Sequence, residues 1–223
     1  MLRFRLAALL CSFLPLYAQH GDHKKHMDKG ADHMQHRFEN PEQWAKSFDD
    51  PKRDAWQMPD KVIAALGLKP GMSVADIGAG TGYFTIRLAK SEAKPTVVAS
   101  DIEAGMLAHI AKRAAAEHLA NVKTAQANEA SPNLPEPMDV ILMVNTIHHI
   151  PNRNAYFSKL ASSLKPGGRL AIVDYKPGAP SGPPEHFRFT VEKMTAELGA
   201  AGYKVQAQYN FLPNQNYLIF VRK

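Results

Sequence analysis

Three alternating glycines, Gly78, Gly80 and Gly82, stand between the apolar run Val74-Ala75-Asp76-Ile77 and a stretch that resumes with helical spacing at Tyr83-Phe84. Residues without a Cβ let the chain bend sharply and lie against a ligand, and a helix that follows aims unpaired N–H groups at whatever fills the bend. Such a segment cradles a nucleotide or a nucleoside. The spacing is G-x-G-x-G, with Tyr83 where a dinucleotide-binding turn carries its third glycine. One acid, Asp76, opens the turn, and a second, Asp101, ends the next apolar run, where a carboxylate can hold two ribose hydroxyls. Dinucleotide folds share the second acid, so the opening acid with alternating glycines is what separates the two classes.

A second reactive stretch is Asn145-Thr146-Ile147-His148-His149-Ile150-Pro151, which follows the apolar run Val140 to Val144. Open α/β sheets bind ligands beyond the carboxyl ends of their strands, so a histidine here can orient a substrate or accept its proton near neutral pH. Adjacent side chains point in different directions, so at most one of His148 and His149 is expected to face a substrate, and packing is the alternative for both. Further on, a stiff Pro/Gly loop over 178–184 precedes His186 and Arg188. It reads as one wall of an acceptor pocket, or as a plain crossing over the sheet edge. A third cluster, His20, His23, His26, His33 and His36, holds half of the ten histidines and suits Zn, Cu or Ni. The same tract has few apolar residues to bury, so it also reads as a disordered polar linker. His109 and His118 fall in a helical pattern and are read as surface or packing residues.

The elements that must position these groups alternate in type. Short apolar runs end at Ile77, Ser100, Val144 and Asp174, separated by stretches of helical period that include 104–119, which predicts a parallel sheet covered on both faces. Asp60 is expected to cap a helix closed by Gly67, and Thr190 to cap Val191 to Ala200. Tyr203 to Phe211 and Tyr217 to Val221 read as a closing antiparallel hairpin. At 223 residues the chain can bury one sizeable α/β core. The 27 Lys and Arg against 21 Asp and Glu are scattered rather than clustered with aromatics, which argues against a nucleic-acid partner.

Residues 1–18 differ from the rest. Arg3 and Arg5 precede the apolar run Leu6 to Tyr17, with Ala18 at a cleavage point, and the run is too short to span a bilayer comfortably. This predicts a signal peptide and a periplasmic or secreted protein without stable membrane insertion after cleavage; an uncleaved anchor and an Arg-rich mitochondrial presequence are the alternatives. Cys11, the one cysteine, would leave with the leader, so the mature chain has no disulfide or thiol chemistry. The expected organisation is a leader over 1–18, a His-rich linker over 19–37, a helical lid segment over 38–59 and the main domain over 60–223.

Taken together, Asp76 to Gly82, Asp101, the run Asp139 to Asn145 and Leu164-Lys165-Pro166-Gly167-Gly168-Arg169-Leu170 resemble a class I S-adenosylmethionine-dependent methyltransferase. The segment Trp44, Asp49-Asp50-Pro51, Arg53-Asp54, Trp56-Gln57 and Pro59 is similar to exported bacterial members. The resemblance implies a Rossmann-like, seven-stranded, mostly parallel sheet with helices on both faces and a C-terminal antiparallel hairpin. It implies S-adenosyl-L-methionine as cofactor, held by Asp76, Gly78, Ala79, Gly80, Thr81 and Gly82 at its methionine end and by Asp101 and Ile102 at its ribose. Asn128 falls where the family often has Asp beside the adenine amino group, and an amide oxygen can accept the same hydrogen bond. Asn145 stands at the reaction centre, and Trp56, Gln57 and Tyr83 belong to a lid over the cofactor. The implied activity is methyl transfer to a small-molecule acceptor; the alternative is an exported metal-binding protein on the same scaffold without catalytic activity.

Overall fold

A computed structural model describes residues 37–223. The expected leader and the five histidines of the N-terminal tract lie outside the described residues. Two short helices, α1 (Pro41–Phe48) and α2 (Arg53–Gln57), precede α3 (Pro59–Ala65) and β1 (Ser73–Ile77). The chain then alternates through α4 (Tyr83–Lys90), β2 (Thr96–Asp101), α5 (Ala104–Ala116), β3 (Val122–Gln126) and β4 (Met138–Val144). It finishes with α6 (Arg153–Leu160), β5 (Leu164–Tyr175), α7 (Val191–Ala200), β6 (Tyr203–Tyr209) and β7 (Gln215–Arg222).

The seven strands form one sheet in the order β3-β2-β1-β4-β5-β7-β6, with β7 antiparallel to both of its neighbours. Strands β1, β4 and β5 are buried on both faces, and so read as continuous apolar runs instead of alternating ones. One face packs Val74, Val140, Leu142 and Val173 against Val62 of α3, Leu66 just after it, and Phe84 and Leu88 of α4. The other packs Ile77, Ile141, Met143 and Ile172 against Tyr156 and Phe157 of α6 and Met194 and Leu198 of α7. Strand order reverses between β1 and β4, so a crevice opens beyond their carboxyl ends, between the turns that leave them.

Several expected boundaries move for identifiable reasons. Asp60 lies inside the first turn of α3, and the cap position is Met58, in left-handed backbone at φ 44°, with Pro59 starting the helix. The helix expected over 104–119 ends at Ala116, because His118 turns left-handed at φ 54°. Thr190 does cap α7, its side chain accepting a hydrogen bond from the Lys193 amide. Among the described residues no helix is long and apolar enough to cross a membrane.

Candidate active site

The glycine turn is held by main chain. The amides of Gly78 and Ala79 both donate to the Ser100 carbonyl at 2.8 and 3.2 Å, tying the end of β1 to β2. The Gly80 amide donates to Asp101 Oδ2 at 2.8 Å, and the Glu103 amide donates to Oδ1 at 2.9 Å. Gly78 and Gly82 sit at φ 71° and 88°, where a Cβ would collide with Thr146 and would come within 2.9 Å of Ile110 respectively. Only glycine satisfies the conformation and the packing at once. Burial raises the pKa of the Asp101 carboxyl, while hydrogen bonds from the backbone amides oppose that shift.

The two acids expected beside the cofactor have different surroundings. Asp76 is buried in β1 and accepts a hydrogen bond from Thr85 Oγ1 of α4 at 2.7 Å. Desolvation pushes its pKa up to about 6, against the Thr85 hydrogen bond, and the neighbouring Asp101 charge adds to the rise. Asp76 therefore braces strand against helix from below, whereas Asp101 stands at the strand end. Immediately after it Ile102 is 47% exposed, one of two large apolar side chains so exposed among the described residues. A buried hydroxyl, Thr81 Oγ1, has no hydrogen-bond partner in the turn. A carboxylate, an exposed apolar platform and an unpartnered hydroxyl around a side-chain-free bend fit an adenosyl amino acid. Asn128 is exposed after β3, and its Oδ1 already accepts from the Ala130 amide at 2.9 Å, a local turn that engages the oxygen expected to face adenine.

His148 and His149 lie in a single turn of 3-10 helix, Ile147–His149, beyond β4. His148 is buried, and its Nδ1 lies 2.8 and 3.0 Å from the two carboxylate oxygens of Asp174, itself fully buried at the end of β5. The carboxylate fixes the proton on Nδ1 when the ring is neutral and leaves Nε2 as the basic nitrogen. The His149 ring packs 4.3 Å from that of His148 and 5.6 Å from that of Phe38. The expected divergence of the two side chains is not met: a single 3-10 turn brings the rings side by side, His148 buried and His149 partly exposed.

Segment 38–59 forms a roof over the turn. Phe38, Trp44 and Phe48 stack on one another, and Phe48 lies 3.5 Å from where a Gly80 Cβ would be. Arg113 Nη1 of α5 ties the end of α1 down, donating to Asp49 Oδ2 at 3.0 Å and to the Thr81 carbonyl at 2.7 Å. Tyr83 is flanked by the guanidinium groups of Arg53 and Arg87, each 3.9 Å from its ring centroid, and donates its hydroxyl hydrogen bond to Asp54. Trp56 sits 6.1 Å from the ring of Tyr175. Gln57 is fully buried and donates to Gln215 Oε1 at 2.5 Å.

In the Pro/Gly loop, Arg188 donates to the carbonyls of Pro183 and Ala179 at 2.8 and 2.7 Å and pairs with Glu185, so its guanidinium ties the loop to itself. His186 is exposed against Phe187. The site residues that sequence reasoning passed over are Arg53, Asp174 and Gln215. Asp174 carried a usable signal, an acid at the end of the fifth buried strand; Gln215, in a polar stretch 158 residues from Gln57, carried none. Among the described residues no group of three or more His, Cys, Asp or Glu could hold a metal ion.

Residues 75–170 match the model of a methyltransferase domain. A demethylmenaquinone methyltransferase of Tropheryma whipplei is 33% identical over 49% of this chain and 44% of its own length. A phosphoethanolamine N-methyltransferase of Triticum aestivum is 34% identical over 53% of this chain and 24% of its own. The chain spans less than half the length of these curated relatives. Among solved structures, a SAM-dependent methyltransferase from Aquifex aeolicus superposes with a TM-score of 0.72 at 28% identity, covering 82% of this chain and 99% of that one. Magnesium protoporphyrin IX methyltransferase from Synechocystis with bound SAM superposes with a TM-score of 0.59 at 25% identity, covering 78% and 83%. The sheet order, the glycine turn and these likenesses agree on the fold of a SAM-dependent methyltransferase, with the match to a methyltransferase domain running over residues 75–170.

Proposed function

We propose that the protein transfers the methyl group of S-adenosylmethionine to a small-molecule acceptor. The observation that carries this reading is the Gly80 amide docked on the Asp101 carboxylate at the reversal of strand order, inside the segment that matches the methyltransferase model. The cofactor supplies an electrophilic methyl group on a positively charged sulfur. The chain's own residues bind, orient and exclude water: Asp101 and Ile102 receive the nucleoside, the glycine turn lies along the amino-acid end, and the aromatic roof of Phe38, Trp44 and Phe48 dries the space above. His148, oriented by Asp174, takes the acceptor's proton at Nε2 as the acceptor lone pair forms the new bond to carbon. When bound, the cofactor would also supply the leaving group, a sulfonium sulfur able to keep the electron pair of its bond to the methyl carbon. No covalent nucleophile on the protein is required.

The names of the relatives point to different acceptors, one a demethylmenaquinone and one a phosphoethanolamine, so they support the reaction class and leave the acceptor to the site itself. Calorimetric titration of the full chain with S-adenosylhomocysteine tests the reading, and absence of binding removes it. His148→Ala is expected to lower kcat by about 100-fold or more while leaving that affinity in place. We also propose export through the leader, on the strength of Arg3, Arg5 and the apolar run after them. The N-terminal residue of the protein taken from its native cells decides it: an intact Met1 speaks against cleavage.

A further inference from the structure

A row of buried amides runs from the roof into the reaction centre, and its direction is fixed at one end. Arg53 has donors and no acceptor, and its Nε and Nη2 reach Gln57 Oε1 at 3.4 and 3.3 Å. The oxygen of Gln57 therefore faces Arg53, and its Nε2 is left to donate to Gln215 Oε1 at 2.5 Å. Gln215 in turn has only Nε2 remaining, and donates it to Asn145 Oδ1. Amide orientations are decided by such networks, and here a guanidinium decides three of them in succession. Gln57 and Gln215 are both buried, so a reversed amide anywhere in the row would face donor to donor or acceptor to acceptor out of reach of water.

The last residue in the row leaves β4 beside the crevice at the reversal of strand order. Asn145 follows β4, holds left-handed backbone at φ 55°, and is anchored by its own amide, which donates to the Val173 carbonyl at 2.8 Å. It is partly exposed, and its Nδ2 makes no hydrogen bond among the described residues. We infer that Asn145 presents an N–H donor to the acceptor, so that the acceptor class is one offering a lone-pair oxygen, a phenol, enol or carboxylic acid that reacts as its anion, and not an amine. The inference rests on the methyltransferase reading and deepens it. An amine carries an N–H for the protein to receive, whereas Asn145 turns its Oδ1 to Gln215 and the group it leaves without a partner is a donor. An oxyanion needs a donor, which Nδ2 is, while His148, held by Asp174, takes the hydroxyl proton. Arg53, Gln57 and Gln215 are then positioning residues, acting on the acceptor only through Asn145.

Two measurements on the full chain decide the matter separately. A joint neutron and X-ray structure locates the hydrogens: deuterium on the Asn145 nitrogen facing the crevice is expected, and an Asn145 oxygen facing it overturns the inference whatever the substrate. Incubation with methyl-labelled S-adenosylmethionine and a small-molecule extract of the producing cells then identifies the labelled atom. Label on oxygen, or on a carbon conjugated to it, is expected, and label on nitrogen overturns the inference. Gln215→Glu, which cannot donate when ionised, is expected to lower kcat on that acceptor about 10- to 100-fold with S-adenosylhomocysteine affinity changed less than about twofold. An unchanged kcat overturns the row's role. If S-adenosylhomocysteine itself fails to bind the unaltered chain, the methyltransferase reading has failed, and the neutron map still judges the amide row on its own.

Discussion

The turn between β1 and α4 is built from backbone amides, glycines and one carboxylate, whereas segment 38–59 above it is attached by guanidinium groups, aromatic rings and buried amides. A main-chain cradle has few ways to vary without losing its shape, because a Cβ at Gly78 or Gly82 has nowhere to go. A roof made of side-chain contacts is held by several small links, partly exposed ion pairs and ring contacts that each contribute modestly beside the one buried amide pair, so it can vary link by link. The cradle should therefore fix what is bound, and the roof how dry and how closed the bound state is.

The sharpest break of this contrast is Gly80→Val. A branched side chain at φ 55° is strained by the left-handed backbone and fills the bend beside Phe48, and S-adenosylhomocysteine affinity is expected to fall by about 100-fold or more in calorimetry while the sheet still melts cooperatively. Next comes Asp101→Ala, which strands the Gly80 and Glu103 amides as well as removing the ribose contact, for a loss of about 30-fold in the same titration. If both variants keep full affinity, the cradle is not where the cofactor sits.

A third prediction separates the two acids. The folded-state pKa of Asp76 is raised from 3.8 to about 6, so the folded protein binds its proton more tightly than the unfolded chain does. That contribution to stability is complete below pH 4 and is lost as pH rises through about 6, where burying the charged form costs about 2–3 kcal/mol. Asp76→Asn keeps an acceptor for the Thr85 hydroxyl and removes the charge. It should be more stable than the parent at pH 8 by up to that amount, and should flatten the slope of stability between pH 4 and 6 in denaturant titrations. A variant less stable than the parent at pH 8 would show that the carboxylate's charge is needed there.

The smallest effect belongs to the roof. Tyr83→Phe loses only the hydroxyl contact to Asp54 and keeps the ring between Arg53 and Arg87, so a loss of about 1 kcal/mol or less is expected in denaturant titration. Limited proteolysis between α1 and α2 should quicken before the main domain is cut. Equal acceleration in the sheet would mean that roof and cradle are one unit.

The parts legible in the sequence are those whose reasons are local. The glycine turn, the buried strands and the Thr190 cap follow from residue type and spacing, and the seven-stranded architecture follows from the family resemblance those residues carry. The side-by-side rings of His148 and His149 do not follow from their adjacency, and neither does the partner of His148, because Asp174 arrives from another strand. Trp56 and Gln57 could be assigned to a lid, yet nothing nearby showed that Gln57 would point inward to Gln215. The same holds for Asn128, whose type permits an adenine contact while Ala130, two residues on, engages its oxygen.

The amide row also has a bearing on when the protein becomes competent. Its middle member, Gln215, is the first residue of β7, a strand translated after all the others yet inserted between β5 and β6 in the sheet. A growing chain on the ribosome can complete the glycine turn long before it can set Asn145. Yet Tyr217, Leu218, Ile219 and Phe220 of that strand also fill the two cores, so the strand made last completes the packing and the acceptor side of the site in one step.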